Sequence, residues 1–258
     1  MKETIGTILK KWRKQRRYSQ LQLALELDVS SKHISFIETG KSKPSQPMIL
    51  KISSFLNLPK RVTNQVLNVA GYAPIYSELA ANDKNLKPVF EAIEQMIESH
   101  TPYPAIVLNQ NWDVVNANKA AQALLAELGF NNEKNLLEAL INDKPDSSKI
   151  INWNEIVSLV LIRLKQEINL LGNPQKLMLL EKKLSACTLD YASDDVLDER
   201  IDEQQTVVTS KFNLSKGEHA FFSIIAQLGT VQDVAVSEYK VELMFPADEK
   251  TKTYYHEG

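Results

Sequence analysis

The sequence has little of what disulfide-bonded, membrane-spanning or disordered proteins contain. Its one cysteine, Cys187, excludes an intrachain disulfide. Eight glycines and ten prolines in 258 residues are too few for a disordered or fibrous chain. There is no apolar run of about 18 residues, the length that a membrane-spanning helix needs. The charged, amphipathic start also lacks the apolar core of a secretory signal. We therefore expect a reduced, cytoplasmic setting and no membrane partner.

The motifs of common enzyme classes are missing as well. The sequence contains neither a P-loop nor a G-x-G-x-x-G turn. Nucleophile spacing and zinc-like spacing are absent among the four histidines, His33, His100, His219 and His256. The acidic run between Asp194 and Glu203 is more typical of a solvated loop than of a cation site. We therefore predict that the chain is not an enzyme and has no catalytic residue, metal or cofactor.

Charge is distributed very unevenly along the chain. Residues 1–71 contain 13 Lys and Arg against 4 Asp and Glu, a net charge of +9. Residues 72–258 contain 17 basic and 28 acidic residues, a net charge of -11. This asymmetry indicates a basic module that binds a polyanion such as DNA, joined to an acidic module that does not.

The basic segment has the periodicity of a small helical bundle. A first helix is predicted by apolar residues at helical spacing, namely Ile5, Leu9 and Trp12. Ser19 is a suitable N-cap for a second helix over residues 20–27, and Gln22 is placed to complete a capping box. A third helix is predicted over residues 31–38, with Gly40 at its left-handed end. Two short helices joined by a tight turn form a helix-turn-helix, which places its second helix in the major groove of DNA.

The third helix is the predicted DNA-reading element. Lys32 near its start can donate to guanine, and Phe36 can contact a thymine methyl group. Backbone N–H groups at the start of the second helix, at Ser19 and Gln20, can bind a phosphate. The full predicted DNA-binding set is Arg16, Arg17, Ser19, Gln20, Ser31, Lys32, His33, Ser35, Phe36, Lys41 and Lys43.

The run SQLQLALELDVSSKHISFIETGKSKPS resembles the helix-turn-helix of the Xre or lambda-repressor-like superfamily. The resemblance rests on SQ at the start of the second helix, LA within it, and I-x-x-I-E-x-G-K at the end of the third. It departs at Asp28, where the family often has Gly, although Asp tolerates the left-handed conformation better than most residues. The resemblance implies that Arg13 and Glu38 form a structural ion pair.

The acidic segment has the pattern of an α+β domain. Two short β-branched runs, PAIVLN and WDVVNAN, predict a hairpin. Helices are predicted at about 86–99, 154–171 and 174–187. They are followed by three strand-like runs, TVVTSKFNL, HAFFSIIAQLG and AVSEYKVELMF. Two strands, then helices, then three strands predict an antiparallel sheet with helices on one face.

The same order of elements resembles the MmyB-like transcription regulators, which carry a PAS-like ligand-binding domain. The matching stretches include PYPAIVLNQNWDVVNAN, INWNEIVSLVLIRL and the block from FFSIIAQLG to MFPADEKT. The chain departs from the family in NDKPDSSK, where Lys144 stands in place of a frequent His. The resemblance implies a sensor for a small apolar molecule, with fatty acid-like ligands as the leading class.

Bulky apolar residues of this segment are the candidates for contact with such a ligand. They are Trp153, Phe221, Phe222, Ile224, Leu243 and Phe245. Successive strand residues point to opposite faces of a sheet, so Phe221 and Phe222 cannot line the same pocket. Each of the six residues fits an ordinary core position equally well.

We therefore predict a sequence-specific transcription regulator that binds a double-stranded DNA operator as a homodimer and responds to a small apolar ligand. The predicted organisation is an all-α lambda-repressor-like helix-turn-helix domain at 1–72, a helical linker at 73–100 and a PAS-like α+β domain at 101–258. A protein-interaction adaptor, a ligand-independent repressor and an enzyme fused to a DNA-binding domain are the alternatives. Salt-dependent binding to duplex DNA separates the prediction from the adaptor.

Overall fold

The computed structural model describes residues 3–79, 83–189, 208–228 and 232–257. The acidic run between Asp194 and Glu203 lies outside these residues. The chain divides into two compact units. The first unit comprises residues 1–78 together with 167–174 and 232–234. The second comprises residues 79–166, 175–231 and 235–258.

The N-terminal part of the first unit is all-helical. Its helices are α1 (Ile5–Gln15), α2 (Gln20–Glu26), α3 (Ser31–Glu38), α4 (Gln46–Phe55) and α5 (Lys60–Val69). Serine N-caps set the start of three of them, because a serine hydroxyl accepts the backbone N–H three residues later. The capping box predicted for Ser19 and Gln22 is present at the start of α2.

The turns of this bundle have the backbone that the sequence predicts. Asp28, in the turn between α2 and α3, has a left-handed φ of 53°, and Gly40 after α3 has a φ of 73°. The apolar faces of the helices meet in one core, in which Leu9 and Trp12 of α1 are each 3% exposed. Burying an aliphatic or aromatic side chain of this kind contributes roughly 1.5–3 kcal/mol. The predicted helix-turn-helix is therefore confirmed.

The remaining elements form an α+β arrangement, as predicted. Its helices are α6 (Lys87–Ser99), α7 (Lys119–Leu128), α8 (Leu136–Asn142), α9 (Trp153–Leu171), α10 (Gln175–Leu189), α11 (Val234–Ser237) and α12 (Glu249–Glu257), and a 3-10 turn lies at Pro145–Ser147. Its strands are β1 (Ala105–Leu108), β2 (Val114–Ala117), β3 (Ser210–Leu214), β4 (Gly217–Gln227) and β5 (Lys240–Pro246). No helix of the described ranges is both long and apolar enough to cross a membrane.

The five strands form one antiparallel sheet in the order β2-β1-β5-β4-β3. The hairpin predicted from PAIVLN and WDVVNAN is β1 paired with β2. The run AVSEYKVELMF was wrongly predicted to be a strand throughout, because its first residues belong to α11 and β5 begins only at Lys240. Helix α6 packs on one face of the sheet, where Ile93 and Ile97 meet Ala105, Val107 and Val241. Helix α9 contacts the other face through Arg163, which binds Glu242, so the prediction of helices on one face only was wrong.

Candidate nucleic-acid interface and ligand-binding region

Helix α3 presents its first turn to solvent. Ser31 and Lys32 are exposed, whereas Ile34 is buried against the other helices. Lys32 Nζ lies 5.5 Å from the centroid of the Phe36 ring, and Lys41 Nζ lies 5.7 Å from the same centroid. The half-buried Phe36 ring thus holds two ammonium groups beside α3 in a cation–π arrangement.

The residues predicted to bind DNA differ in how available they are. The exposed ones are Arg17, Ser19, Ser31, Lys32, Lys41 and Lys43. The half-buried ones are Arg16, Gln20, His33, Ser35 and Phe36. Gln20 Nε2 already donates to Glu38 Oε2 at 2.7 Å, and the Arg16 guanidinium donates to the carbonyls of Leu56 and Asn57 at 3.0 and 3.3 Å. The six exposed residues are therefore the members of the predicted set whose side chains are available to contact DNA.

A buried ion pair holds α1 against the end of α3. Arg13 Nε donates to Glu38 Oε1 at 2.6 Å, and Arg13 Nη2 donates to Glu38 Oε2 at 2.9 Å. Arg13 Nη1 donates to the carbonyl of Tyr18 at 2.6 Å. Burial raises the pKa of Glu38, but the hydrogen bonds from Arg13 and Gln20 outweigh burial and leave this pKa below its ordinary value. The ion pair that the family resemblance implied is present, and it fixes the position of α3.

Four of the six candidate ligand residues share one face of the sheet. Phe222 pairs with Phe245, and Ile224 pairs with Leu243, across β4 and β5. The rings of Phe222 and Phe245 stack with centroids 5.5 Å apart and planes at 19°. Ile224 is 50% exposed, so this face is open to solvent at that position.

The other two candidates lie elsewhere in the second unit. Phe221 points to the opposite face of β4 and is fully buried, with its ring centroid 5.4 Å from that of Tyr255. Trp153 is buried at the first residue of α9. The Trp153 side chain forms a hydrogen bond with Asp143. Burial raises the pKa of Asp143, and the hydrogen bonds from Ser148 and Trp153 offset only part of this rise. The structure therefore places the six residues on more than one surface.

A charged cluster in the second unit was missed by the sequence analysis. Arg163 Nη1 of α9 donates to Glu242 Oε2 of β5 at 3.2 Å, and Arg163 Cζ lies 4.4 Å from the centroid of the Trp112 ring. Lys240 Nζ, also on β5, lies 4.7 Å from the same centroid. The one available sequence signal was the spacing of Lys240 and Glu242, which places both on one face of the strand.

His219 on β4 is a second polar residue whose burial the sequence does not reveal. It is 2% exposed, and neither ring nitrogen has a hydrogen-bond partner among the described residues. Burial, and next the charge of Lys250, lower the pKa of His219, while Asp248 and Glu127 act in the opposite direction. The fold therefore favours the neutral imidazole. Within the described ranges, no three His, Cys, Asp or Glu side chains come together as a metal ion would require.

Two families match the sequence. Residues 9–62 match the family described as "Helix-turn-helix". Residues 89–256, well over half of the chain, match the family described as "MmyB-like transcription regulator ligand binding domain". No curated protein matches the sequence. The first match contains α2, α3 and α4, and the second contains the whole five-stranded sheet.

Proposed function

Because the chain belongs to the MmyB-like transcription regulators, we propose that it reads a double-stranded operator with α3 and that a fatty acid-like ligand in the second unit changes its operator affinity. The chain combines the DNA-binding element and the ligand-binding domain of a regulator. The proposal adds the residues that read DNA, the chemical class of the ligand and the oligomeric state. It includes no catalytic step, and it places the protein in the cytoplasm with the DNA.

The exposed basic start of α3 is the observation that carries the DNA-binding proposal. Lys32 is exposed in the first turn of the helix that a helix-turn-helix inserts in the major groove. Arg17, Lys41 and Lys43 are exposed in the neighbouring turns, where they can neutralise phosphates. A protein-interaction adaptor would bind its partner without this dependence on phosphate charge.

Replacing Lys32 by alanine is expected to weaken binding to a specific duplex by about 1–3 kcal/mol and to relax base preference at one position. The duplex is one that the wild-type protein selects from a random-sequence library. Lys43→Ala removes the same charge from an exposed turn. This control is expected to weaken binding to all duplexes alike and to reduce the salt slope by about one. If Lys32→Ala binds selected and random duplexes as the wild type does, α3 is not the reader.

The ligand proposal draws on two features of the second unit. A fatty acid combines an apolar chain with a carboxylate. The buried ring of Phe221 lies on the face of the sheet that carries Lys240 and Glu242, because Phe221 pairs with Pro246 and side chains alternate along β5. The second unit also carries two cations, Arg163 and Lys240, beside the ring of Trp112. Apolar walls with a few polar groups are the usual composition of small-molecule sites.

We also propose that the protein binds its operator as a homodimer. One helix-turn-helix reads a half-site, and two copies about one DNA turn apart give the affinity that a regulator needs. In such a dimer the distance between the two α3 helices must match the spacing of the half-sites. A ligand can then act by changing that distance, provided that it binds the two arrangements with different affinity.

A further inference from the structure

Residues 167–174, the end of α9 and the turn before α10, belong to the first compact unit together with α1 to α5. Gln15 Nε2 donates to the carbonyl of Asn169 at 2.7 Å. Arg16 Nη1 donates to the same carbonyl at 3.1 Å, and Arg16 Nη2 donates to the carbonyl of Leu170 at 3.2 Å. The last four carbonyls of a helix have no partner within that helix, so these bonds satisfy two of them at the end of α9.

Arg16 donates hydrogen bonds to carbonyls at the C-terminal ends of two helices. Besides the α9 carbonyls, it donates to the carbonyls of Leu56 and Asn57 at the end of α4. The C-terminal end of a helix carries a partial negative charge, so a guanidinium between two such ends is stabilised by both. The protein groups around Arg16 lower the pKa of its guanidinium, because burial disfavours the charged form.

The turn itself lies directly against a core side chain of α1. Gly172 has a φ of +85°, and a Cβ at this position would lie 2.3 Å from Cζ2 of Trp12. The Trp12 side chain is 3% exposed and belongs to the core of the helical bundle. Only a residue without a side chain allows the turn to approach the indole this closely.

We propose that segment 167–174 couples the ligand-binding domain to the helix-turn-helix. Arg16 holds this segment by hydrogen bonds and does not contact a DNA phosphate. The part of α9 that precedes this segment and the whole of α10, which follows it, belong to the second unit. Helix α9 also carries Arg163, which binds Glu242 of β5 and so ties the helix to the sheet. A displacement of α9 by a ligand therefore reaches Gly172 and Trp12 along a continuous helix. This inference rests on the proposed ligand control of DNA binding.

A pair of glycine variants tests the contact in the full chain. Gly172→Ala brings a methyl group against Trp12, whereas Gly129→Ala adds one at a similar φ of +82° with no atom within 4 Å. Both variants place a side chain at a left-handed φ of similar size, and only the first disturbs the contact with α1. Affinity for the selected duplex is measured with and without palmitate, and the ratio of the two dissociation constants is compared. We expect the ratio to fall to about one in Gly172→Ala and to keep its wild-type value in Gly129→Ala.

Two neighbouring arginines supply a second test that does not depend on the glycine variants folding. Arg16→Ala and Arg17→Ala each remove one positive charge from the same turn. Arg17→Ala is expected to lower the salt slope of DNA binding by about one and to keep the palmitate ratio. Arg16→Ala is expected to keep the salt slope and to lose the palmitate ratio.

The possible outcomes separate this inference from the proposed function. If the wild type responds to palmitate and Gly172→Ala responds equally, the coupling contact is wrong and ligand control stands. If Arg16→Ala lowers the salt slope as Arg17→Ala does, Arg16 is a phosphate contact and the anchor role is wrong. If the wild-type ratio is already one, ligand control by a fatty acid fails, and the coupling role fails with it.

Discussion

Glu38→Ala is expected to cost the helical bundle about 3–5 kcal/mol of stability, because it leaves a buried charge without its partner. The side chains of Arg13 and Glu38 are only 7% and 2% exposed. Without the carboxylate, the Arg13 guanidinium keeps a single hydrogen bond, to the carbonyl of Tyr18. Gln20 loses its acceptor as well. Hydrogen exchange of the α1 and α3 amides in the full chain measures this loss for the bundle alone.

Two control variants show whether the buried charge is the cause. Glu26→Ala removes the same charge from an exposed position on α2, and its effect is expected to stay within about 0.5 kcal/mol. The double variant Arg13→Met with Glu38→Leu replaces the pair by apolar side chains and is expected to recover most of the loss. A double variant as unstable as Glu38→Ala would contradict this explanation.

The same ion pair makes the bundle sensitive to acid. The pKa of Glu38 in the folded protein lies below its ordinary value. Its contribution to stability is therefore complete above the pKa of the unfolded state and is lost as the pH falls through the lower folded value.

Asn118→Ala is expected to be the most damaging single polar substitution in the second unit, with a loss of about 3–4 kcal/mol. Asn118 is fully buried. Its Nδ2 donates to the carbonyls of Ile97 and Tyr103, both at 2.9 Å. Its Oδ1 accepts from the backbone N–H groups of Ala105 and Ala121 at 3.1 and 2.9 Å. One amide thereby joins α6, β1 and α7, and alanine leaves all four backbone groups unsatisfied.

The effect of Asn118→Ala is measured by hydrogen exchange of the amides of β1 and β5. Asn116→Ala is the matched control, because Asn116 is exposed on β2 two residues earlier and its side chain accepts only the N–H of Ala117. The control is expected to change stability by less than about 0.5 kcal/mol. Equal protection of β1 in the two variants would show that the Asn118 network does not hold these elements together.

The elements that could be predicted from sequence are those set by local signals. The N-cap at Ser19 and the left-handed residues Asp28 and Gly40 each act within one or two turns of the chain. The helix-turn-helix could therefore be placed residue by residue. The β1–β2 hairpin was equally accessible, because its two runs are short, β-branched and close in sequence.

What could not be predicted depends on residues far apart in the chain. The position of β1 between β2 and β5 joins segments more than 130 residues apart, and no local pattern records it. Two of the four residues of α11, Val234 and Val236, are β-branched, which is typical of a strand, yet the segment is helical. Arg16 carries the charge of a phosphate contact, but its partners include carbonyls 153 and 154 residues away. Composition alone does not distinguish these two uses of an arginine.

Ligand control of DNA binding is the central claim, and a duplex titration of the wild-type protein tests it most directly. The protein is stripped of bound lipid, and the selected duplex is titrated at fixed salt with palmitate, with acetate or with no addition. Acetate supplies the carboxylate without the apolar chain. We predict that palmitate changes the dissociation constant by about 5- to 150-fold, the usual range of an allosteric coupling, and that acetate does not. Equal dissociation constants in all three titrations would contradict the account.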